Sequence, residues 1–339
     1  MKYPEFIKKN DKVALVAPSF GCTFDPYTTR LNASIKNLEA EGFVIEKGPN
    51  TDKALVIGRS NTKEKCGSEI NHYFNDAKTK ALLSVGGGEL MVEILPFVDF
   101  ELLKQNPKWF MGYSDNTNLT YLLPTICDVA SIYGPNAPSF GVKPYHKSLN
   151  DALNLLNGKS TVVESYGKWE LQVNQKKIDP LAPMVLTEDT MMIGYPKSNV
   201  AFSGRLLGGC LDSLLCFLGT DFDKTKEFIE KYRDDGIVWF LEACELNTMA
   251  IRRAFVQLDN AGWFKNVKGF IIGRPLSGME DCLGLNRFDA VKEVVEKYNV
   301  PIVFDVDLGH LSPSMPLITG SFAEVELKDN HLTVNMKLI

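Results

Sequence analysis

The first third of the chain alternates short apolar runs with amphipathic stretches, and no other feature of the sequence constrains its fold more. Strands that alternate with helices predict βα units around a parallel sheet. In chain order the predicted elements are strand Lys12 to Ala17, helix Arg30 to Glu41 ending at Gly42, strand Phe43 to Lys47, helix Thr62 to Ala77, strand Ala81 to Val85, helix Glu89 to Leu95 and strand Lys108 to Tyr113.

Two turns whose residues could take part in binding or catalysis follow directly on these strands. Gly86, Gly87 and Gly88 come after the third predicted strand, and Ser114 comes after the fourth. In open α/β sheets, ligands bind outside the carboxyl ends of the strands. The sequence therefore predicts a functional site at this edge of the sheet.

The pattern weakens after residue 142, where glycines, prolines and polar residues are frequent. A chain of 339 residues exceeds the roughly 250 to 300 residues at which a single hydrophobic core stops growing. We therefore expect an N-terminal α/β domain at 1–150, a crossing region at 151–199 and a C-terminal domain at 200–339. Some strand is expected in the crossing region, at Thr161 to Val163 and at Trp169 to Val173.

The last part repeats the alternation and ends on a β-hairpin, so the second domain is expected to be mixed α/β. Its predicted elements are a buried helix Gly204 to Leu218, strand Ile237 to Leu241, helix Asn247 to Ala261, strand Gly269 to Ile272, helix Arg287 to Tyr298, strand Ile302 to Phe304, and hairpin strands Ala323 to Leu327 and His331 to Met336 with a turn at Asp329 and Asn330.

Charge and hydropathy exclude several classes of protein. The net charge is -5, and the 37 lysines and arginines form no basic block, which argues against nucleic acid as a partner. The apolar run Val13 to Ala17 is too short for a signal peptide or a membrane span, so no membrane association and a cytoplasmic location are expected. The seven cysteines are scattered and odd in number, which predicts free thiols.

Ser114 lies in the segment Gly112-Tyr113-Ser114-Asp115, on a sharp turn from strand to helix. A serine in such a turn exposes its hydroxyl at the sheet edge, as a nucleophile requires. The full G-x-S-x-G motif is absent because Asn116 replaces the second glycine. A serine that only caps a helix is the alternative.

The glycine turn could bring bare backbone amides to the same edge. If Ser114 is a nucleophile, Gly87 or Gly88 could serve as a second oxyanion donor beside the amide of Asp115. A tight turn that needs positive φ is the alternative. A dinucleotide loop is disfavoured because Met91 replaces the third glycine of that fingerprint.

A serine nucleophile needs a general base, usually histidine. His310 lies in a constrained loop between a predicted strand and Pro313, whereas His72, His146 and His331 are expected on the surface.

The base in turn needs a carboxylate to orient it. Glu242 terminates a very apolar strand and is the first candidate; Glu245, Asp305 and Asp307 remain alternatives. Neither an H-E-x-x-H motif nor a cysteine cluster is present, so no metal and no cofactor are expected.

These segments together resemble the serine peptidase family of murein LD-carboxypeptidases and microcin C7 immunity proteins. Seven matching segments in the same order along the chain are more specific than any one of them. The resemblance covers nearly the whole chain. It rests on KVALVAPS from Lys12, SVGGG from Ser84, GYSDNT from Gly112, GRLLGG from Gly204, FLEACE from Phe240, GFIIGR from Gly269 and DLGH ending at His310.

The resemblance implies a catalytic triad of Ser114, Glu242 and His310, with an oxyanion hole from Asp115 and Gly87 or Gly88. It also implies an N-terminal flavodoxin-like or amidotransferase-like domain, a C-terminal swivelling β/α domain, and a homodimer. The bond cleaved would be an amide beside a free carboxylate.

For the substrate, the resemblance implies either a murein L,D-peptide or a peptidyl or aminoacyl nucleotide. The segment from Ser84 to Phe100 favours the immunity-like subgroup, whose base-stacking aromatic would lie in the crossing region, where Trp169 and Tyr195 are candidates. Two other classes stay open. One is a two-domain protein that binds a small ligand without turnover; the other is a nicotinamide-dependent oxidoreductase, which the broken glycine fingerprint disfavours.

Overall fold

The computed structural model describes residues 1–55, 57–171 and 179–339, and its longer strands form two sheets. The strands are β1 Lys12–Val16, β2 Val44–Lys47, β3 Thr79–Ser84, β4 Trp109–Gly112, β5 Ser131–Tyr133, β6 Val162–Glu164, β7 Lys168–Trp169, β8 Glu188–Asp189, β9 Ile193–Tyr195, β10 Val200–Cys210, β11 Ile237–Glu242, β12 Val267–Gly273, β13 Ile302–Val306, β14 Leu317–Thr319, β15 Phe322–Lys328 and β16 His331–Lys337. The α-helices are α1 Tyr27–Ala40, α2 Lys63–Asn75, α3 Phe100–Gln105, α4 Thr117–Thr120, α5 Lys147–Asn157, α6 Leu211–Leu214, α7 Thr225–Lys231, α8 Thr248–Asn260 and α9 Arg287–Val295.

The first sheet has the strand order β2-β1-β3-β4-β5-β14. Strands β1 to β5 are parallel, and β14 pairs antiparallel with β5. The order 2-1-3-4-5 is that of flavodoxin-like sheets. Because parallel sheets are covered on both faces, their strands are apolar throughout, which is why the sequence pattern identified them. The predicted N-terminal α/β fold is confirmed.

The second sheet has the order β6-β16-β15-β10-β11-β12-β13-β9. Its centre, β10 to β13, is parallel, and the strands outside it are antiparallel to their neighbours. Asp329 and Asn330 have positive φ (49° and 62°) between β15 and β16, as a two-residue hairpin turn requires. The predicted mixed sheet and hairpin are confirmed.

The predicted buried helix Gly204 to Leu218 is wrong over its first half, and the second half is a short α-helix followed by a 3-10 turn at Leu215–Phe217. Residues Val200–Cys210 form the long strand β10, and α6 covers only Leu211–Leu214. A short apolar run does not distinguish a buried strand from a buried helix. The glycines serve close packing instead: a Cβ on Gly208 would lie 1.8 Å from the carbonyl oxygen of Phe240 on β11.

The region predicted to cross between the domains contributes two short edge strands to the second sheet. It contains α5 and then β6, which confirms the strand expected at Thr161 to Val163 and pairs with β16. Strand β9 pairs with β13 at the other edge. Of the strand expected at residues 169–173, β7 contains Trp169, and residues 172–178 lie outside the described part of the chain.

Three further features bear on the sequence predictions. The short helix expected at Glu89 to Leu95 is instead a 3-10 helix at Met91–Phe97, with Pro96 inside it; in an α-helix the proline ring would clash with the carbonyl four residues before it. All seven cysteines are free, as predicted. Among the described residues, no helix has both the length and the apolar character needed to cross a membrane.

Candidate active site

Ser114 lies two residues after the last residue of β4, Gly112, and has a φ of +64°. A left-handed backbone costs energy for a residue other than glycine and is typical of a nucleophile turn. Its Oγ lies 2.9 Å from Nε2 of His310. The alternative of a helix cap is not what the structure shows: the Ser114 hydroxyl contacts His310, and the hydroxyl of Thr117 donates to the Ser114 carbonyl.

His310 lies in the loop after β13, and hydrogen bonds within this loop hold its conformation. The Gly309 amide donates to Ser314 Oγ, and the Met315 amide donates to the carbonyl of Asp307. The second ring nitrogen of His310, Nδ1, lies 2.8 Å from Oε2 of Glu242. The loop therefore presents opposite sides of one imidazole to a hydroxyl and to a carboxylate.

Glu242 ends β11, and its side chain is buried. Its Oε1 accepts a hydrogen bond of 2.5 Å from the hydroxyl of Tyr133. The Ser114 amide donates to the same hydroxyl at 3.3 Å. Tyr133 thus links the acid to the backbone of the serine. Nothing in the sequence singled it out, because a tyrosine in a buried strand usually serves packing.

The alternative orienting acids are engaged elsewhere. Asp305 pairs with Arg287, and Asp307 pairs with Arg274. Glu245 is exposed. Of the acids considered from the sequence, the structure brings only Glu242 into contact with His310.

The charge of Glu242 controls the protonation of His310. Burial by itself lowers the pKa of an imidazole. The negative charge of Glu242 and hydrogen bonds to Cys244 and Glu242 outweigh burial, and the pKa of His310 lies well above its usual value. His310 becomes a free base only at a pH above that of an ordinary histidine.

The glycine turn lies against the serine. A Cβ on Gly87 would be 2.9 Å from Ser114 Cβ and 3.7 Å from the Asp115 amide nitrogen, whereas one on Gly88 would meet Ser19 Oγ at 2.2 Å. The Asp115 carboxylate accepts hydrogen bonds from Ser19 Oγ and the Met91 amide. A residue with a side chain at position 87 would collide with Ser114, so a glycine is needed for the backbone to pack this closely against the serine.

Among the described residues, two cavities have Ser114 or its neighbour Tyr113 in their walls. The acidic cavity, of about 110 Å³, contains Ser114 in its wall, with Gly88, Asp115, Asp212 and Glu245 among its other residues.

The aromatic cavity, of about 460 Å³, lies on the histidine side and is lined by Tyr113, Tyr145 and Ser312 among others. The ring of Tyr113 is 5.3 Å from that of His310. Ala182, Pro183, Met184 and Leu186 of the crossing region also line this cavity.

The two aromatics predicted to contact substrate line neither of these two cavities. Trp169 donates to the carbonyl of Asp189, and the guanidinium of Arg274 lies 4.9 Å from its ring centre. Tyr195 pairs with Ile302 at the edge of the second sheet. Their role in binding stays a prediction.

Cys210, Glu242 and His310 each offer a possible metal-ligand atom, and these atoms lie within 4.8 Å of one another. A metal would have to break the contact between Glu242 and His310. It would also need a thiolate, and burial, followed by the charge of Glu242, raises the pKa of the Cys210 thiol well above its usual value. The cluster is better suited to hold the imidazole than to hold a cation.

Comparison with known proteins gives the same family for both halves of the chain. The model of the LD-carboxypeptidase N-terminal domain matches residues 13–134, and that of the C-terminal domain matches 203–325.

Two of the relatives that match over most of their length illustrate the likeness. A Vibrio cholerae protein, provisionally named a carboxypeptidase, is 25% identical over 98% of this chain and 96% of its own. The microcin C7 self-immunity protein MccF of Escherichia coli is 25% identical over 90% and 88%.

Solved structures share the fold. MccF in complex with glutamyl sulfamoyl guanosine superposes with a TM-score of 0.83 at 22% identity, covering 99% of both chains. An MccF-like protein of Bacillus anthracis gives 0.81 at 21% identity, over 99% of this chain and 100% of that one. This likeness shows the two-domain α/β fold.

Proposed function

This chain belongs to the LD-carboxypeptidase family, and from that premise we propose that it is a serine hydrolase that cleaves an amide bond through a covalent acyl-enzyme. The observation that carries the proposal is the unbroken series of hydrogen-bond contacts from Ser114 through His310 to Glu242. Serine, base and orienting acid in this geometry are the parts of a catalytic triad.

In the proposed reaction, Nε2 of His310 takes the proton of Ser114 Oγ as the oxygen attacks the carbonyl carbon. The imidazolium that forms is stabilised by Glu242, and the same proton then passes to the leaving nitrogen. Water, activated by the same imidazole, hydrolyses the ester on Ser114. No step calls on a metal or a cofactor.

The negative oxygen of the tetrahedral intermediate would be held by backbone amides. We assign this role to Asp115 and to Gly87 or Gly88, because Gly87 packs directly on Ser114. Preorganised donors of this kind typically contribute about 2.7–4 kcal/mol each to the transition state.

For the substrate we propose a murein-type L,D-peptide or a peptidyl or aminoacyl nucleotide. The family models are named for LD-carboxypeptidases. MccF structures hold glutamyl sulfamoyl guanosine, aspartyl sulfamoyl adenosine or adenosine monophosphate. The aromatic cavity, with two tyrosines in its wall, would suit a flat base as leaving group.

The test is turnover of a murein L,D-tetrapeptide and of an aminoacyl sulfamoyl adenosine by wild type and by Ser114→Ala. We expect one substrate to be cleaved by wild type and cleavage to vanish in the variant. A mass increase of Ser114 on treatment with a serine-directed phosphonate would mark the nucleophile independently. Cleavage that survives Ser114→Ala would overturn the proposed mechanism.

We also propose a homodimer in the cytoplasm, on the resemblance stated above and on the seven free thiols. Light scattering coupled to size-exclusion chromatography would check the dimer.

The domain bounds of 1–150 and 200–339 stay predictions, with the qualification that β14 of the C-terminal part completes the first sheet.

A further inference from the structure

The backbone amides proposed for the oxyanion hole belong to peptides whose carbonyl groups are held by side chains. The amide of Asp115 shares its peptide with the carbonyl of Ser114. The amide of Gly87 shares its peptide with the carbonyl of Gly86. Neither peptide is among the cis bonds of the described chain, and in a planar trans peptide the C=O and N–H bonds point in opposite directions. A side chain that fixes such a carbonyl therefore also fixes the direction in which the amide donates.

Thr117 holds the first of these carbonyls. Its fully buried hydroxyl donates to the Ser114 carbonyl oxygen at 2.7 Å, and its backbone amide donates to the same oxygen. The hydroxyl in turn accepts from the amide of Cys210 at 3.0 Å. Since Cys210 ends β10, the second sheet fixes the Thr117 side chain and, through it, the direction of the Asp115 amide.

Asn116 holds the second carbonyl. Its side chain is fully buried, and its Nδ2 lies 2.8 Å from the carbonyl oxygen of Gly86 and 3.1 Å from that of Tyr113. Ser84 Oγ donates to the Gly86 carbonyl as well, at 2.9 Å. One side-chain amide thus joins the glycine turn to the turn that carries the serine.

The orientation of the Asn116 amide has a cost, and its contacts with the two turns explain that cost. Its Oδ1 is buried and has no partner among the described residues, which is unfavourable. The opposite orientation would place this oxygen against three other acceptors, the carbonyls of Gly86 and Tyr113 and the Oδ1 of Asn136. The NH₂ group therefore stays directed at Gly86.

The contacts favour Gly87 over Gly88 as the second donor. A Cβ on Gly87 would lie 3.0 Å from Ser114 Oγ and 3.7 Å from the Asp115 amide nitrogen. A Cβ on Gly88 would instead meet Ser19. The backbone at Gly87 is thus the part of the glycine turn that lies beside both the nucleophile and the first donor.

We propose that Thr117 and Asn116 are positioning residues for the oxyanion hole, each directing one donor amide through the carbonyl of the same peptide. The inference rests on the proposed hydrolase and assigns residues to it that have no role in the triad. Donors directed at the developing oxyanion act in the transition state more than in the ground state. Loss of their direction should therefore lower kcat and leave KM nearly unchanged.

The experiment on the first donor compares two substitutions of one residue. Thr117→Val replaces the hydroxyl by a methyl group and should lower kcat about ten- to a hundredfold, because a displacement of about 1 Å can cost about a hundredfold. Thr117→Ser keeps the hydroxyl and should restore most of the lost kcat. The matched control is Thr120→Val at the other end of α4. Its hydroxyl is fully buried without a partner among the described residues, so kcat should equal that of wild type.

The experiment on the second donor uses two residues that bind the same carbonyl. Asn116→Asp keeps the shape of the side chain but removes the donor to Gly86, and its kcat should approach the loss of about a hundredfold expected for a missing donor. Ser84→Ala removes the other hydrogen bond to that carbonyl and should lower kcat about two- to tenfold, as one neutral hydrogen bond would. Ser84→Ala tests the same peptide even if Asn116→Asp does not fold.

Nitrogen NMR of protein labelled at glycine and aspartate observes the two amides without substrate. A hydrogen bond to a carbonyl polarises the nitrogen of the same peptide. The nitrogen shift of Asp115 should therefore change in Thr117→Val and that of Gly87 in Ser84→Ala, whereas Thr120→Val should change neither.

These measurements keep the inference distinct from the proposed function. Changed shifts support the positioning of the two amides even if wild type cleaves neither test substrate, an outcome that would refute the hydrolase. Unchanged shifts overturn the inference in either case. With an active wild type, a kcat of Thr117→Val equal to that of Thr120→Val, or a loss confined to KM, overturns the inference and leaves the hydrolase standing.

Discussion

Replacing Glu242 by glutamine tests the linkage between Tyr133, the acid and the base. The Ser114 amide donates to the Tyr133 hydroxyl, so the hydroxyl proton is directed at position 242. In Glu242→Gln the new amide must therefore turn its oxygen to Tyr133 and its NH₂ to Nδ1 of His310. That forces the ring proton onto Nε2, which faces Ser114 Oγ and can then no longer accept the serine proton.

The expected loss is large because the tautomer, and not only the charge, is wrong. A carboxylate-to-amide change that leaves triad geometry intact lowers kcat by about 10⁴-fold. The Tyr133 hydrogen bond that locks the amide is worth about 0.5–1.5 kcal/mol as a neutral bond. Adding Tyr133→Phe removes this hydrogen bond and lets the amide at position 242 turn. The kcat/KM of the double variant should therefore be about two- to tenfold higher than that of Glu242→Gln alone.

The assay is kcat/KM for the cleaved substrate in wild type, the two single variants and the double variant, with Glu326→Gln as a matched surface control. Thermal unfolding shows that each variant is folded, and nitrogen NMR of labelled histidine reports the tautomer of His310. An activity of Glu242→Gln within tenfold of wild type, or a double variant no more active than the single one, would refute the reasoning.

Three further outcomes are expected. Since His310 must be neutral to act and its pKa is raised, kcat/KM of wild type should climb with pH and have its acid limb above about pH 6.5; a limb at or below that value contradicts the shift. Gly208→Ala should destabilise by more than about 3 kcal/mol because its Cβ would collide with Phe240, while Gly167→Ala, with nothing within 4 Å, should change the urea midpoint little. Arg274→Met leaves Asp307 buried without its ion pair and should lower the free energy of unfolding by about 3–5 kcal/mol. Equal urea midpoints for the variant and wild type would disprove this.

Parts of the site could be found from the sequence because their signals are local. A serine two residues after a glycine at a strand end, and an acid that ends an apolar strand, are read within a few residues. Tyr133 and the wall of the acidic cavity could not be found in that way. They come from β5, from α6 and from loops far apart in the chain, and single residues there look like packing or surface.

Strand β10 shows the same limit in the fold. Its apolar run with glycines fitted a buried helix equally well, and pairing with β11 and β15 decided for a strand. The weak pattern at 151–199 likewise hid strand β9, which pairs with the distant strand β13.

The sequence by itself determined the alternation of strands and helices, and with it the parallel sheet and the edge at which Ser114 and the glycine turn would meet. Apolar periodicity and turn residues act over a few positions, so they can be recognised in the sequence before the tertiary structure is known. Only the tertiary structure decided that His310, 196 positions from Ser114, reaches its hydroxyl and that the Tyr133 hydroxyl donates to Glu242. Distances between remote segments depend on how the two sheets pack, and no local pattern encodes them.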